Sequence, residues 1–463
     1  MQKKTLLMIA TFLGLILGTF PTQLLNMTIA SSLDDDNLIE WPMYHHDPAH
    51  TGYSNNTAPT TLPTQLWNYT LETDPESMPH SPAVADGSAY VISQGSLSCF
   101  DAATGTKIWN FPALNYAGTP AVVDGRVYVG SANGGVYSLQ ASSGLQVWNF
   151  STGDSFDSSV TVVNDLVYAV SRYGKIYSPD SAIGGDIYCL DAVNGNIIWN
   201  FSIGYAASGA SPAVSGNSVY VGNNDGNIFC LDAANGSEIW NSSTRGAVRS
   251  PAVADGYVYV GSADGNAYCF RASDGAKIWN YTTEYNSNGP AHNYDWGNAV
   301  SDPAVAYGCV YVGSSNFGVY CLDALHGSLI WNFTTGAQVI AAPAVADGYL
   351  LAGSYDGNLY CLNATSGSEI WRFPAGVFSP VNSAGTAGSP AVAEGVIYVV
   401  GNGIIYALAA PSTAPPFPLI YIALAAVVAV VVLVTAVYAT IAKRIRSSLG
   451  RNQTDAVQSW GLL

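Results

Sequence analysis

Short apolar runs, separated by tight turns, recur along most of the chain. A typical unit opens with a Ser-Pro-Ala-Val run and continues through a Val-Tyr-Val run, a Tyr-Cys-Phe run and an Ile-Trp-Asn run, as in residues 250–280. Asp-Gly and Asn-Gly dipeptides join these runs, and such dipeptides favour hairpins between antiparallel strands. The pattern therefore predicts repeated units of four antiparallel strands.

The last run of each unit carries a tryptophan, and these tryptophans define the period. Successive copies lie 39 to 42 residues apart, except for two intervals of 51 and 52 residues. Self-similarity at this period indicates a repeat architecture, and four-stranded units of this length are typical of propeller blades. The eight tryptophans are Trp67, Trp109, Trp148, Trp199, Trp240, Trp279, Trp331 and Trp371.

Eight opening runs can be aligned, near Pro82, Pro120, Val160, Pro212, Pro251, Pro303, Pro343 and Pro390. The last unit has no tryptophan run of its own, whereas Trp67 precedes the first opening run. We expect the segment from Gln65 to Tyr69 to complete the eighth blade, because closure of the ring removes free sheet edges. The predicted fold class is all-β, with an eight-bladed propeller over residues 65–409 and one C-terminal transmembrane helix.

The segments outside the propeller predict export and anchoring. Two lysines precede an apolar run from Leu6 to Phe20, so residues 1–30 are predicted to be a signal peptide or an N-terminal anchor, followed by a lead-in at residues 31–64. A Pro-rich linker at residues 410–418 precedes an uncharged stretch at residues 419–441, which is long enough to span a bilayer. Basic residues follow it, so the tail at residues 442–463 is predicted to be cytoplasmic and the propeller external.

Composition narrows the possible partners. The formal net charge is −17, from 15 basic and 32 acidic residues, and the sequence shows no sizeable basic patch, so nucleic acid is not expected to bind. Of seven cysteines, six occupy one repeat position, where Ser138 and Ala407 stand in the other units. We expect small buried residues there and no disulfide framework; Cys309 stands outside the pattern and is also expected to be buried. The six are Cys99, Cys189, Cys230, Cys269, Cys321 and Cys361.

A histidine-rich stretch, WPMYHHDPAHTGYS, occupies residues 41–54. His45, His46, Asp47 and His50 are residue types that bind metals, but Pro and Gly interrupt the stretch, so no helix would align them. We therefore favour an ordered segment packed against the propeller and predict no metal site.

The segment Cys230-Leu231-Asp232-Ala233-Ala234-Asn235-Gly236-Ser237-Glu238-Ile239-Trp240 resembles the tryptophan-docking motif of eight-bladed quinoprotein propellers, with cysteine where that family usually has alanine. The resemblance to the pyrroloquinoline quinone (PQQ)-like repeat family extends over residues 41–410. The resemblance implies that the indole packs against the neighbouring blade, where the glycine four residues before the tryptophan of the motif leaves room for it. The chain is also similar in repeat type and blade number to the propeller subunit of the outer-membrane barrel assembly machine.

Three stretches lengthen the repeat. They are residues 172–186, 284–301 and 375–388, and in this propeller type all three belong to one face of the ring. Long loops on a rigid scaffold are common binding elements, so the candidate binding residues are taken from this face: His80, Arg245, Arg249, Asn286, His292, Tyr294, Asp295, Trp296, Asn298 and Asp302.

Asn-x-Ser/Thr sequons are frequent in the part predicted to be external, which makes it a candidate glycoprotein. Most of them follow the repeated tryptophan. The candidate acceptors are Asn55, Asn149, Asn200, Asn241, Asn280, Asn332 and Asn363.

Three functions remain open at the level of sequence. The favoured one is a protein-binding scaffold at the cell surface, and the second is a module that binds envelope glycans, suggested by the aromatic and amide residues of 284–301. The resemblance also implies a PQQ-dependent dehydrogenase, but catalytic members of that family use an adjacent-cysteine disulfide and a calcium ion held by carboxylate and amide ligands. The sequence has no Cys-Cys dipeptide, so no catalytic residue and no cofactor are predicted.

Overall fold

A computed structural model describes residues 40–71, 81–93, 95–112, 114, 117–172, 184–205, 209–283, 299–376 and 388–411. The predicted signal peptide, transmembrane helix and tail lie outside these ranges. Within them, no helix has the length and apolar character that a bilayer crossing requires. By its internal contacts the chain divides after Ala410, and the propeller lies entirely in the first of the two units.

The described residues form eight antiparallel sheets of four strands, which confirms the eight-bladed all-β propeller. The short strand β1 (Tyr53–Ser54) pairs in parallel with the innermost strand of blade 7.

The strands of the eight blades, in ring order, are the following. Blade 1 contains β3 (Ala83–Ala85), β4 (Ser88–Ser93), β5 (Ser96–Asp101) and β6 (Lys107–Pro112); blade 2 contains β7 (Ala121–Val123), β8 (Arg126–Ser131), β9 (Gly135–Gln140) and β10 (Gln146–Ser151); blade 3 contains β11 (Thr161–Val163), β12 (Leu166–Val170), β13 (Asp186–Asp191) and β14 (Ile197–Ser202); blade 4 contains β15 (Ala213–Ser215), β16 (Ser218–Gly222), β17 (Asn227–Asp232) and β18 (Glu238–Ser243). Blade 5 contains β19 (Ala252–Ala254), β20 (Tyr257–Gly261), β21 (Asn266–Arg271) and β22 (Lys277–Thr282); blade 6 contains β23 (Ala304–Ala306), β24 (Cys309–Gly313), β25 (Gly318–Asp323) and β26 (Leu329–Thr334); blade 7 contains β27 (Ala344–Ala346), β28 (Tyr349–Gly353), β29 (Asn358–Asn363) and β30 (Glu369–Pro374); blade 8 contains β31 (Ala391–Ala393), β32 (Val396–Gly401), β33 (Ile404–Ala409) and β2 (Thr64–Thr70).

The ring closes through its first long strand. Strand β2 pairs antiparallel with β33, with Trp67 opposite Ala407, so the N-terminal strand is the outermost strand of blade 8, as the offset of the tryptophans predicts. The first strand of each blade is the innermost one, because these short strands contact one another from blade to blade.

Tight turns join the first two strands of each blade. In blade 5, Asp255 has φ 51° and Gly256 has φ 81°. Two successive positive φ values are what a type I′ hairpin turn requires, and Asp-Gly is a favoured pair for it. The repeated dipeptide therefore specifies the register of the short inner strand.

The tryptophans connect neighbouring blades, as the resemblance implies. The indole of Trp199, for example, donates from Nε1 to the carbonyl oxygen of Ala233 in the next blade at 2.9 Å. A Cβ atom added to Gly236 would lie 2.5 Å from the same indole, so only glycine leaves room for this contact. Seven tryptophans make this bond to an alanine carbonyl, at 2.7 to 3.0 Å: Trp67, Trp109, Trp148, Trp199, Trp240, Trp279 and Trp331.

The eighth tryptophan has a different acceptor. Trp371 donates to the carbonyl oxygen of Pro59 at 2.8 Å. In blade 8 the third and fourth strands, β33 and β2, come from opposite ends of the propeller sequence, so the turn that supplies the alanine carbonyl elsewhere does not exist there. A residue of the lead-in replaces it.

The six repeat-position cysteines are buried, as predicted. Cys309 differs from the prediction in two respects: it is only half-buried, and it does not stand alone. It begins β24, opposite Asp323, and Cys321 lies two residues earlier on the neighbouring strand. Residues two apart on a strand share one face of the sheet, and a hydrogen bond with the Cys321 thiol lowers the pKa of Cys309.

Candidate functional site

Residues 41–56, which we call the central segment, follow the inside of the ring and reach all eight blades. Main-chain hydrogen bonds join it to the middle of six inner strands: Trp41 exchanges two bonds with Val84, and Val122, Val214, Val253, Val305 and Val345 donate to Pro42, Pro48, Ala49, Thr51 and Gly52 at 2.6 to 2.8 Å. Side chains reach the other two blades, through His50 and Thr161 in blade 3 and through Asn56 and Val392 in blade 8. The centre of the propeller is therefore occupied by the chain's own N-terminal part.

The central segment turns sharply at its histidines. His45, His46 and His50 have φ values of 54°, 75° and 58°, in the left-handed region that non-glycine residues seldom adopt. A hydrogen bond from Gly52 N to the His45 carbonyl, at 3.0 Å, closes the turn. Gly52 itself fits only as glycine, since a Cβ atom there would lie 2.9 Å from the Cβ of Ala304.

His45 and His50 are buried and neutral. The ring Nε2 of His50 lies 3.2 Å from the Thr161 hydroxyl, and the ring Nδ1 of His45 lies 3.2 Å from the His50 carbonyl oxygen. Burial lowers the pKa of His45, and burial together with the nearby His45 lowers the pKa of His50 to about 3. Among the described residues, no group of three or more His, Cys, Asp or Glu side chains could hold a metal ion. The histidines act here as packing and turn residues.

Four side chains meet on the face of the ring that carries the crossings between blades and the turns between second and third strands. We call this face the mouth face. We call Tyr44, Arg249, Asp302 and Tyr355 the mouth cluster. The Tyr44 hydroxyl donates to Asp302 Oδ2 at 2.6 Å, and Arg249 interacts electrostatically with Asp302, Tyr44 and Tyr355. Burial, with the Asp302 charge adding to it, raises the pKa of Tyr44, and burial raises the pKa of Tyr355 to about 12. Both phenols are therefore neutral at physiological pH.

Asp302 takes its place in a belt of hydrogen bonds around the mouth. In five blades, the residue before the opening proline or its equivalent donates its main-chain N–H to the side chain at the same position in the next blade. This gives bonds from Thr119 to Ser159, Ser159 to Ser211, Ser211 to Ser250, Ser250 to Asp302, and Ala342 to Ser389, at 2.9 to 3.3 Å. Asp302 is a carboxylate where most other described blades have a hydroxyl, so it adds a charge that can bond Tyr44.

The structure brings together two of the predicted site residues. Arg249 and Asp302 both belong to the mouth cluster. Arg245 is exposed on the same face, where its main-chain N–H donates to Asp264 at 3.0 Å. The other seven candidates, His80, Asn286, His292, Tyr294, Asp295, Trp296 and Asn298, lie outside the described residues, and the glycan-binding hypothesis that depends on them stays a prediction.

Sequence reasoning missed Tyr44 and Tyr355 as members of the cluster. Tyr355 occupies a turn position that carries no distinguishing motif. Tyr44 lies in the non-repeating stretch, so no period shows which blade it faces. Their partner Asp302, which was predicted, is marked in the sequence because it departs from the serine that precedes the proline in several other blades.

The described mouth residues do not fit a calcium-held quinone. Calcium takes six to eight oxygen ligands, but both carboxylate oxygens of Asp302 already accept hydrogen bonds, from Tyr44 and from the main chain of Ser250. A positive guanidinium, that of Arg249, also faces this carboxylate. No step through such a cofactor follows from these residues.

Comparison with known proteins agrees with the architecture. A family model described as "Outer membrane protein assembly factor BamB" matches residues 183–293 and 287–412. The quinohemoprotein alcohol dehydrogenase of Comamonas testosteroni is 28% identical over 184 residues, which is 35% of this chain and 25% of that protein. The serine/threonine-protein kinase AfsK of Streptomyces griseus is 30% identical over 167 residues, which is 34% of this chain and 20% of the kinase. The chain spans a quarter or less of the length of these two relatives.

Solved structures are similar over more of the chain. BamB from Moraxella catarrhalis has a TM-score of 0.58 at 19% identity, covering 75% of this chain and all of that one (100%). The Comamonas testosteroni quinohemoprotein alcohol dehydrogenase has a TM-score of 0.63 at 15% identity, covering 83% of this chain and 82% of that one. At these identities the likeness shows the fold alone. The protein is thus an eight-bladed propeller whose repeats from residue 183 to 412 match the family model described as outer membrane protein assembly factor BamB.

Proposed function

We propose that this protein is a membrane-anchored, extracytoplasmic propeller that acts as a protein-binding scaffold. The observation that carries the proposal is the central segment, which reaches the innermost strand of every blade. A ring filled by its own chain offers its faces and its rim for contact. The match to the BamB family model supports a binding role.

The face that carries the mouth cluster is the one we assign to the partner. Strands β12 and β22 both end at this face, where the chain enters the two long segments that precede β13 and β23. Bridges such as Val248 with Ser262, and Val300 with Ser314, tie the crossings to the turns between the second and third strands on this face. Rigid supports below long loops are a common arrangement for binding.

The membrane location is part of the proposal and is supported by the sequence. The uncharged stretch at residues 419–441, followed by basic residues, favours a single crossing with the propeller outside. Under this arrangement the partner is an external or envelope protein.

Site-specific photocrosslinking in intact cells tests the binding role. A photoreactive side chain replaces Arg245, which is exposed on the mouth face, and in a matched variant it replaces Ser273, which is exposed in a turn at the other end of blade 5. We expect a discrete protein adduct from position 245 and none from position 273. Absence of any protein adduct from several exposed mouth-face positions, in cells that display the folded propeller, would overturn the scaffold function.

A further inference from the structure

The outermost strands of six blades present the same sequon in the same orientation. The asparagine follows the docking tryptophan directly, and a serine or threonine stands two residues later. The six acceptors are Asn68 in blade 8, Asn149 in blade 2, Asn200 in blade 3, Asn241 in blade 4, Asn280 in blade 5 and Asn332 in blade 6.

We call these six the rim sequons, after their place on the outer strands. In each of them the asparagine and the hydroxyl residue point to solvent. In strand β18, Asn241 and Ser243 are exposed while Trp240 is buried and Ser242 is half-buried. Residues two apart on a strand lie on one face, so the acceptor amide and the hydroxyl stand side by side. The same exposed, half-buried, exposed order occurs in all six rim sequons.

In two other sequons the main-chain N–H groups of a tight turn bind the asparagine side chain, whereas the rim residue Asn241 donates from Nδ2 to the side chain of Glu238. Asn363 is half-buried, and its Oδ1 accepts hydrogen bonds from the main-chain N–H groups of Thr365 and Ser366 at 3.0 and 2.9 Å. Asn235 Oδ1 accepts from Ser237 N at 2.8 Å. A sugar on either side chain would have to be accommodated within a tight turn.

Each rim sequon lies close to an exposed aliphatic side chain of the same strand. In β18 this is Ile239, which is 49% exposed and stands two residues before Asn241. The equivalent residues are Leu66, Val147, Ile198, Ile278 and Ile330, and the six are 36% to 51% exposed. An outer strand with a free edge and apolar side chains is a template for unwanted pairing between molecules. A bulky polar group at the neighbouring asparagine would cover both features.

We propose that the rim asparagines of blades 2 to 6 and blade 8 are N-glycosylation sites, and that their glycans shield the outer strands. The co-reactant is a lipid-phosphate-linked sugar. A bond forms between the asparagine Nδ2 and the anomeric carbon, the bond from that carbon to the phosphate oxygen breaks, the lipid phosphate leaves, and the amide gives up one proton. The inference rests on the proposed export, because the transfer machinery acts on external segments.

Two blades provide built-in controls on the rim. In blade 1, Asn110 stands at the acceptor position, but Pro112 replaces the hydroxyl residue, and in blade 7 the acceptor position is Arg372. Pro112 is exposed at the end of the outer strand β6, where a missing N–H costs little. The substitution Pro112→Thr therefore creates a seventh rim sequon without disturbing the core.

Peptide mass spectrometry of the full-length protein, purified from the cells that make it, tests the proposal. We expect a sugar mass on the six rim asparagines and none on Asn235 or Asn363. Ser243→Ala removes the sequon but keeps Asn241, so the sugar on that peptide is lost; Pro112→Thr adds one at Asn110. Unmodified rim peptides, or sugars confined to the turn asparagines, would overturn the proposal.

Protease treatment of intact cells separates this inference from the proposed location. If the propeller is cleaved from outside and the rim peptides carry no sugar, glycosylation is wrong and the external location stands. If the propeller is protected and the rim peptides are bare, both the location and the glycosylation are wrong.

Discussion

The centre and the rim of the propeller present the same structural problem, because each blade has an inner and an outer strand with one edge not paired within the blade. At the centre, the chain satisfies these edges itself, because the main-chain N–H groups of valines such as Val214 and Val253 donate to carbonyl oxygens of the central segment. At the rim, the strands keep their edges and carry exposed polar residues beside exposed aliphatic ones. A single irregular segment can serve eight inner edges because they converge, whereas the eight outer edges are too far apart for that.

The two regions also differ in how regularly their sequences repeat from blade to blade. The rim repeats one short pattern in nearly every blade. The centre breaks the repeat, with Asp302 in a position where other blades have serine and with histidines in left-handed turns. Chemistry that distinguishes one blade from another is therefore concentrated at the centre.

The largest expected effect lies at the docking of an indole, which joins the outer strand of one blade to the turn before the outer strand of the next. In Gly236→Ala the new Cβ would lie 2.5 Å from Trp199, at a φ of +73°. We expect the free energy of unfolding to fall by about 3 kcal/mol, the sum of left-handed strain and overpacking. Thermal or denaturant unfolding measures it.

Gly256→Ala is the matched control for that substitution. Gly256 has a similar φ of +81° but no atom within 4 Å of the added Cβ, so it reports the backbone strain alone, about 1 to 2 kcal/mol. Equal losses in the two variants would show that the indole does not constrain the glycine.

The mouth cluster gives the next largest effect. Asp302→Ala removes the acceptor of the Tyr44 hydroxyl and of the Ser250 N–H, and leaves the half-buried Arg249 without this carboxylate. We expect a loss of about 2 to 3 kcal/mol in unfolding free energy. Asp302→Ser restores the belt bond that serine makes in other blades, so its loss should be smaller. A serine variant as damaged as the alanine variant would contradict the role of the belt.

Acid should weaken the centre before it affects the rim. The folded pKa of His50 is about 3, below its usual value of 6.5. The unfolded chain therefore binds the extra proton first, and stability that is present above about pH 6.5 is lost as the pH falls toward 3. The expected slope from His50 is about 1.4 kcal/mol per pH unit between about pH 6 and 4.

His50→Gln provides the comparison for the acid effect. Glutamine keeps a polar side chain near Thr161 but does not titrate, so the slope of unfolding free energy against pH should become shallower in this range. His45 retains its lowered pKa and some of the slope. An unchanged slope would mean that His50 is not buried in the neutral form.

The smallest effect is expected on the rim. Ile239→Ser changes a side chain that is 49% exposed, and surface substitutions of this kind usually change stability by less than about 0.5 kcal/mol. Denaturant unfolding checks it. A loss of several kcal/mol would show that the outer strand is covered by other parts of the protein.

The periodic part of the fold was predictable, and the centre was not. The spacing of the tryptophans predicted eight blades, and the offset of Trp67 predicted the closure of the ring. The glycine four residues before seven of the eight tryptophans predicted the docking contact. These features repeat, so each copy supports the others. The hydrogen bond from Trp371 to Pro59 occurs once, beside the blade that strands from the two ends of the propeller sequence complete. No repeated pattern predicts it.

The candidate site is also hard to predict from the sequence, because its residues do not belong to the repeat. Residues 41–54 were expected to pack against the propeller, but a segment without a period does not show that it lies inside the ring. Arg249 and Asp302 were predicted as candidates from their loops, and the structure brings them together. Tyr44 joins them only because the central segment turns back at its histidines, and such turns depend on tertiary contacts rather than on local sequence.

Hydrogen exchange at the inner strands tests the central claim most directly. The amides of Val214, Val253 and Val305 donate to the central segment, so mass spectrometry should find the peptides of β15, β19 and β23 as protected as the middle strands of their blades. Peptides of the outer strand β18 should exchange faster, since one edge faces solvent. Rapid exchange of the inner strands, at the rate of β18, would show an open channel and would contradict the account.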